Sequence, residues 1–256
     1  MAKTPLADKL QEVRDRIAAA CLKAKREPSE VTLIAVTKTA APDQIRELLS
    51  LGVADLGESR VQQLVQRASQ LQEYHQRRVQ YGEGGVPEKL RWHMIGHLQR
   101  NRVRHLGQYE PLGVWTPPRG LAAEPDPAGA KVGRKIPVLL QVNASEEPQK
   151  YGVAVGATVP LAEQIATMPN VQLIGLMTMA ALDADESAAR LTFSRTRELF
   201  EEIRWQKIGG GSVKHLSMGM SNDFELAIAE GATLVRIGTT LFGGKPEQTA
   251  AEETED

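Results

Sequence analysis

A single cysteine, Cys21, in 256 residues excludes an intramolecular disulfide and suits a reducing compartment. It falls on an amphipathic face, where a thiol packs as a small apolar side chain. Long apolar runs are missing too. No stretch approaches the roughly 20 residues of a membrane span, and the start Met-Ala-Lys-Thr-Pro carries no signal-peptide core, so a soluble cytoplasmic chain is expected. Net charge is nearly absent, with 31 basic residues against 32 acidic. That removes the global electrostatic case for nucleic acid or an anionic membrane, and a phosphate ligand then needs a local site. The five histidines show no metal-ligand spacing. His93 falls on a strand pattern, where a hydrogen-bonded structural role is about as well supported as an inward-facing one, and His97 falls near its end.

What the chain does have is alternation. Leu6, Leu10, Val13, Ile17, Cys21 and Ala24 recur every three or four residues and predict an amphipathic helix over 5–25. The β-branched run Val31 to Thr39 predicts a strand, Pro42-Asp43 opens a short helix, and Gly52 is placed to close it in the left-handed conformation. Further strands are expected at 53–57, 92–96, 112–115, 136–142, 171–177, 213–217 and 234–238. Helices are expected at 60–75, 98–106, 158–168, 186–205 and 222–231. Residues 116–134 break the pattern, because prolines crowd a stretch where a helix is due. Eight strands separated by helical segments in a chain of this length suggest an α/β fold, a (β/α)8 TIM barrel with an extra N-terminal helix and no second domain. A doubly wound open sheet is the competing arrangement. The barrel is expected to occupy 1–244, and the acidic tail 245–256, without large apolar residues, is expected to be disordered.

In a parallel barrel, chemistry collects where strands end. Lys38 ends the first strand, and apolar neighbours there are expected to desolvate its amine and favour the form that attacks a carbonyl. The ordinary reading is a solvated loop cation. After the seventh strand, Ser217 to Asp223 places Ser221 directly before a predicted helix, a junction suited to anions, although a plain N-cap serine explains it as well. After the eighth, Gly238 admits close backbone approach, Thr239 offers a hydroxyl, and Arg236 puts a cation inside an apolar strand. A buried arginine needs a partner, and the ordinary candidate is Glu58. A desolvated lysine with a phosphate cradle suits a phosphate ester that carries an aldehyde.

The runs Ala35 to Lys38, Gly57 to Gln62, Trp92 to Gln99, Gly175 to Met179, Ser217 to Asp223 and Arg236 to Thr239 resemble the pyridoxal 5′-phosphate homeostasis protein family, over residues 5–244. The resemblance implies a fold-type III barrel, related to the alanine racemase N-terminal barrel, that binds pyridoxal phosphate (PLP) as a Schiff base on Lys38. It further implies phosphate contacts from Ser221, Gly238 and Thr239, with Arg236 facing the pyridine nitrogen. Ser59 stands where the family usually has asparagine beside the cofactor. Residues 114–134 depart from the family's strand ending and following helix.

Three functions follow from different classes. The favoured one is a cofactor-binding protein of intracellular PLP homeostasis that influences amino-acid and keto-acid balance, a monomer with PLP-dependent apo-enzymes or regulatory proteins as candidate partners. The second is a PLP-dependent amino-acid racemase, which needs a second base opposite Lys38. Of the four tyrosines, Tyr151 falls nearest a predicted strand end, whereas Tyr74, Tyr81 and Tyr109 fall on helix or loop segments. The third is a barrel isomerase or phosphate-sugar binder in which Lys38 acts only through its charge.

Overall fold

The computed structural model describes residues 5–82, 84–96, 112–115, 135–147 and 149–243. Eight parallel strands form a closed ring: β1 (Thr32–Val36), β2 (Asp55–Glu58), β3 (Arg91–Met94), β4 (Leu112–Trp115), β5 (Ile136–Asn143), β6 (Val171–Met177), β7 (His215–Ser217) and β8 (Leu234–Ile237). Each strand pairs with its neighbour in chain order. The circle is completed by β8 on β1, where Ile34 faces Arg236 in register, and β4 on β5 leaves no gap halfway round. Closure removes the open-sheet alternative and both sheet edges. A two-residue strand, Val153–Ala154, pairs with the end of β5 outside the ring.

Among the described residues, helices α1 (Pro5–Lys23), α2 (Pro42–Ser50), α3 (Val61–Gln80), α4 (Thr158–Ala166), α5 (Glu186–Trp205), α6 (Phe224–Ala229) and the one-turn α7 (Thr239–Phe242) lie around the ring. Alternation along the strands divides the core in two. Leu56, Met94, Leu140, Leu216, Val235 and Ile237 face the helices, while Ile34, Leu139, Ile174, Met177 and Leu234 plug the barrel. Each such side chain, buried fully, stabilises the fold by about 1.5–3 kcal/mol. The face of α1 formed by Leu6, Leu10, Val13, Ile17, Ala20 and Cys21 packs inward. This helix lies against α2, α6 and α7. Arg26 holds it there by donating to the carbonyls of Ile228 and Ala232 at the end of α6.

Several expected boundaries move. Helix α3 runs five residues past 75 to Gln80, and β2 starts at Asp55 and takes in Glu58. The helix expected over 222–231 is the six-residue α6, beginning only at Phe224. Its start is delayed because the Asp223 carboxylate accepts from the Met220 N–H at 2.6 Å and closes a turn over 220–223. Gly219 enters that turn at φ +91°, where a Cβ would come within 2.8 Å of the Phe224 Cα. Gly52 closes α2 at φ +80°, as expected. The helix expected over 98–106, the stretch 116–134, His97, Tyr109 and the tail 245–256 lie outside the described residues.

At the end where the strands begin, the barrel holds a polar cluster in which Asp55 and His93 are buried and Arg91 reaches solvent. Asp55 accepts from Arg91 through both oxygens, at 2.7 and 2.5 Å, and its Oδ1 lies 2.7 Å from His93 Nε2. Burial pushes the Asp55 carboxyl up, but the hydrogen bonds from His93 and Arg91 outweigh it and hold it below its ordinary value. His93 therefore faces inward in a structural role. His215, on the facing part of the ring, is pushed down by burial first and by the nearby His93 and Lys214 second.

Both shifts destabilise the fold in acid, in different windows. A depressed histidine resists a proton that the unfolded chain accepts below about pH 6.5, so its contribution falls as pH drops from there to its folded value. Asp55 contributes above the carboxylate range and loses that contribution only when pH falls through its own depressed value. The melting temperature is therefore expected to fall between pH 7.5 and 5.5, with His215→Gln narrowing the fall by a few degrees relative to wild type in thermal scans. An identical pH dependence in the variant would remove His215 from this role.

Candidate functional site

The residues singled out from the sequence gather at the opposite rim, where the strands end. β1 stops at Val36, and Thr37 to Ala40 form a turn closed by the Ala40 N–H donating to the Thr37 carbonyl at 2.9 Å. Lys38 lies in this turn, two residues beyond the end of the strand. Its side chain is exposed. The expected burial of the amine is thus not supplied by the described residues: the strand ends two residues early, and Lys38 and Thr39 are exposed between the buried Thr37 and Ala40. Ser59, half-buried, follows β2 at the same rim.

Arg236 lies inside β8, 4% exposed. The expected partner, Glu58, is not its partner. Strand alternation turns Glu58 outward to α3, where it meets Arg67 and the Thr37 hydroxyl, whereas Arg236 turns inward. Its guanidinium donates to the Ser217 hydroxyl at 2.6 Å and the Thr178 carbonyl at 3.0 Å, both neutral oxygens. Burial pushes it down to about 10, against the opposing field of Asp223. The Asp223 carboxyl is itself pushed up by burial, with the Met220 N–H and the charge of Arg236 pulling the other way.

The runs after β7 and β8 meet. Ser221, expected to lead straight into a helix, instead presents its hydroxyl to the Thr240 N–H of α7, at 3.5 Å. Gly238 lies against the end of β1, where a Cβ would stand 3.2 Å from Val36 Cβ and 3.3 Å from its carbonyl oxygen. The Gly238 backbone is thereby drawn next to the strand that carries Lys38, and Thr239 starts the turn that faces Ser221. A hydroxyl, backbone N–H groups and a buried cation with neutral partners make a rim suited to an anionic, planar ligand.

Tyr151 follows β5 and is 61% exposed, its carbonyl accepting from the Gln141 side chain. Tyr74 packs against the outer core and Tyr81 is exposed beyond α3. Sequence reasoning missed Ser217, Thr178 and Arg67. The first two become partners of Arg236 only through strand register. Arg67 left one faint sign, a cation beside Leu64 and Ala68 on the apolar stripe of α3.

Ring closure, a lysine in the turn after the first strand and a hydroxyl–amide cradle after the last two define a parallel (β/α)8 barrel of the ligand-binding kind. Comparison with known proteins narrows the class. The family model for the alanine racemase N-terminal domain matches residues 8–246. A pyridoxal phosphate homeostasis protein of Aquifex aeolicus is 36% identical over 92% of this chain and 96% of its own length. One from Escherichia coli K12 is 34% identical over 94% and 97%. The solved structure of PipY from Synechococcus elongatus with PLP bound has a TM-score of 0.72 at 31% identity, covering 90% of this chain and all of that one. Alanine racemase from Corynebacterium glutamicum, with TM-score 0.57 and 14% identity over 63% of its length, shares the fold alone. The chain belongs to the pyridoxal phosphate homeostasis protein family.

Proposed function

We propose that this chain binds PLP covalently through Lys38, as a cytoplasmic monomer, and holds or delivers it within intracellular PLP homeostasis. Amino-acid and keto-acid balance then follow from the supply to PLP-dependent apo-enzymes. The observation that carries this reading is the meeting of Ser221 with the backbone at Thr240. A contact of 3.5 Å is long for a hydrogen bond, so a phosphate oxygen competes for that N–H at little cost. The names of the relatives and the PLP in the PipY structure support the same ligand.

When bound, the cofactor supplies an electrophilic aldehyde and an electron-withdrawing ring. The chain's residues do the rest. Ser221, Gly238 and Thr239 hold the phosphate, Ser59 lies beside the ring, and Lys38 offers its amine to the aldehyde. Arg236 fits a ring nitrogen that carries no proton: a guanidinium only donates, and its buried charge opposes a second positive charge. That lowers the ring's power as an electron sink, which favours storage over strong catalysis. The free, buried thiol of Cys21 is in keeping with a reducing cytoplasm. Among the described residues no helix is long and apolar enough to cross a membrane.

The test is absorbance of protein loaded with PLP, before and after borohydride, beside Lys38→Ala, with mass mapping of the reduced product. A band lost on reduction and a pyridoxyl mass on Lys38 are expected, with neither in the variant. A protein that takes up no PLP, or an adduct on another lysine, would overturn the assignment.

A further inference from the structure

Lys38 is carried by a turn, not by a strand, and the backbone of that turn converges on one side chain. Arg67, on α3, donates through Nη1 to the Thr37 carbonyl and through Nη2 to the carbonyls of Lys38 at 3.4 Å and Ala40 at 3.2 Å. The same Nη1 pairs with Glu58 Oε1, and that oxygen also accepts from the Thr37 hydroxyl at 2.5 Å. Glu58 is fully buried and Arg67 is 20% exposed. The second oxygen, Glu58 Oε2, has no hydrogen-bond partner among the described residues. A buried pair with an unsatisfied oxygen is a poor stabiliser, because desolvation offsets most of its attraction. What the pair does accomplish is geometric. It fixes three of the four carbonyls of the Lys38 turn, those of Thr37, Lys38 and Ala40, to α3 and the Thr37 hydroxyl to β2.

The geometry points to Arg67, backed by Glu58, as the positioning residue for Lys38: it holds the turn so that the amine meets the aldehyde of a ligand whose phosphate sits in the cradle after the last two strands. This rests on the PLP reading above. Arg67 touches neither the cradle nor Arg236 in the contacts described. Its loss therefore acts on covalent capture and leaves phosphate-anchored binding alone. Glu58 balances its charge, so the clamp adds no net cation beside the amine.

The experiment compares two ligands. PLP reports covalent capture through the rate of appearance of its borohydride-fixed adduct. Pyridoxamine 5′-phosphate has the same phosphate and ring but no aldehyde, and reports the cradle by calorimetry. In Arg67→Met/Glu58→Gln, which strands no buried charge, capture is expected to slow at least about 10-fold, since small misplacement of a reacting group is costly. Affinity for pyridoxamine phosphate is expected to stay within about two-fold, there being no lost contact to that ligand. Arg67→Lys, which keeps the charge but lacks the planar fork that reaches all of these oxygens, is expected to fall between wild type and the double variant, and a rate equal to wild type would overturn the role of the fork. Wild-type capture rate in the double variant, or an equal loss for both ligands, would overturn the inference. Should the double variant not fold, hydrogen exchange of the wild-type protein decides: the Ala40 amide is expected to be protected like the barrel strands, and free exchange there would overturn the clamp. A wild-type protein that captures no PLP defeats the functional reading instead, while the exchange measurement still judges the clamp.

Discussion

Ser221→Asp is expected to weaken PLP binding by at least about 100-fold, because it sets a carboxylate where the phosphate dianion would lie. Two unit charges about 4 Å apart near a protein surface repel by about 4 kcal/mol, and each 1.4 kcal/mol is about a tenfold change in affinity. The added carboxylate also accepts from the Thr240 N–H that Ser221 now faces at 3.5 Å, and so occupies the donor as well as repelling the ligand. Ser221 is half-buried at the rim and outside both apolar cores, so the fold is expected to survive. Titration with PLP and with unphosphorylated pyridoxal separates the causes. Pyridoxal capture by Lys38 is expected to be nearly unchanged in the variant. An equal loss for both aldehydes would place the phosphate elsewhere.

The second large effect is on the fold. Gly175 pairs with His215 between β6 and β7, and a Cβ on it would stand 1.8 Å from the His215 carbonyl oxygen and 2.7 Å from the carbonyl carbon. Those are backbone atoms, with no flexible side chain to swing away. Gly175→Ala must push β7 from β6, and β7 carries Ser217, the hydroxyl on Arg236, and leads to Ser221. Overpacking usually costs about 1–3 kcal/mol, and a clash against backbone belongs above that, at about 4 kcal/mol or more. Gly156→Ala is the control: nothing lies within 4 Å of a Cβ there and its φ is ordinary, so a change under about 0.5 kcal/mol is expected. Urea unfolding of the two variants measures the contrast. Equal stabilities would mean that β6 and β7 are not spaced as described.

The elements were legible where periodicity was strong. The α1 stripe, the apolar runs of β5 and β6, and the 20-residue α5 match their patterns closely, because burial on one face of a helix, or on both faces of a parallel strand, leaves a repeat in the residues. Short turns were not. The start of α6 at Phe224 depends on one carboxylate closing back on Met220, and the Asp223 that does it looks like any helix-start acid in the sequence. The one-turn α7 is too short to show a period.

The same division runs through the site. The alternating barrel pattern, the lysine after the first strand, and the Ser221 and Gly238-Thr239 runs are readable along the chain, since residue type and spacing carry that information. Which side chains meet was settled by the folded barrel. It turned Glu58 outward to Arg67 and Arg236 inward to Ser217 and Thr178, and it left Lys38 exposed in a turn where the sequence suggested a desolvated amine. The reason is physical: which face a side chain takes depends on strand register, and which groups then touch depends on closing β8 onto β1 across some two hundred residues of chain.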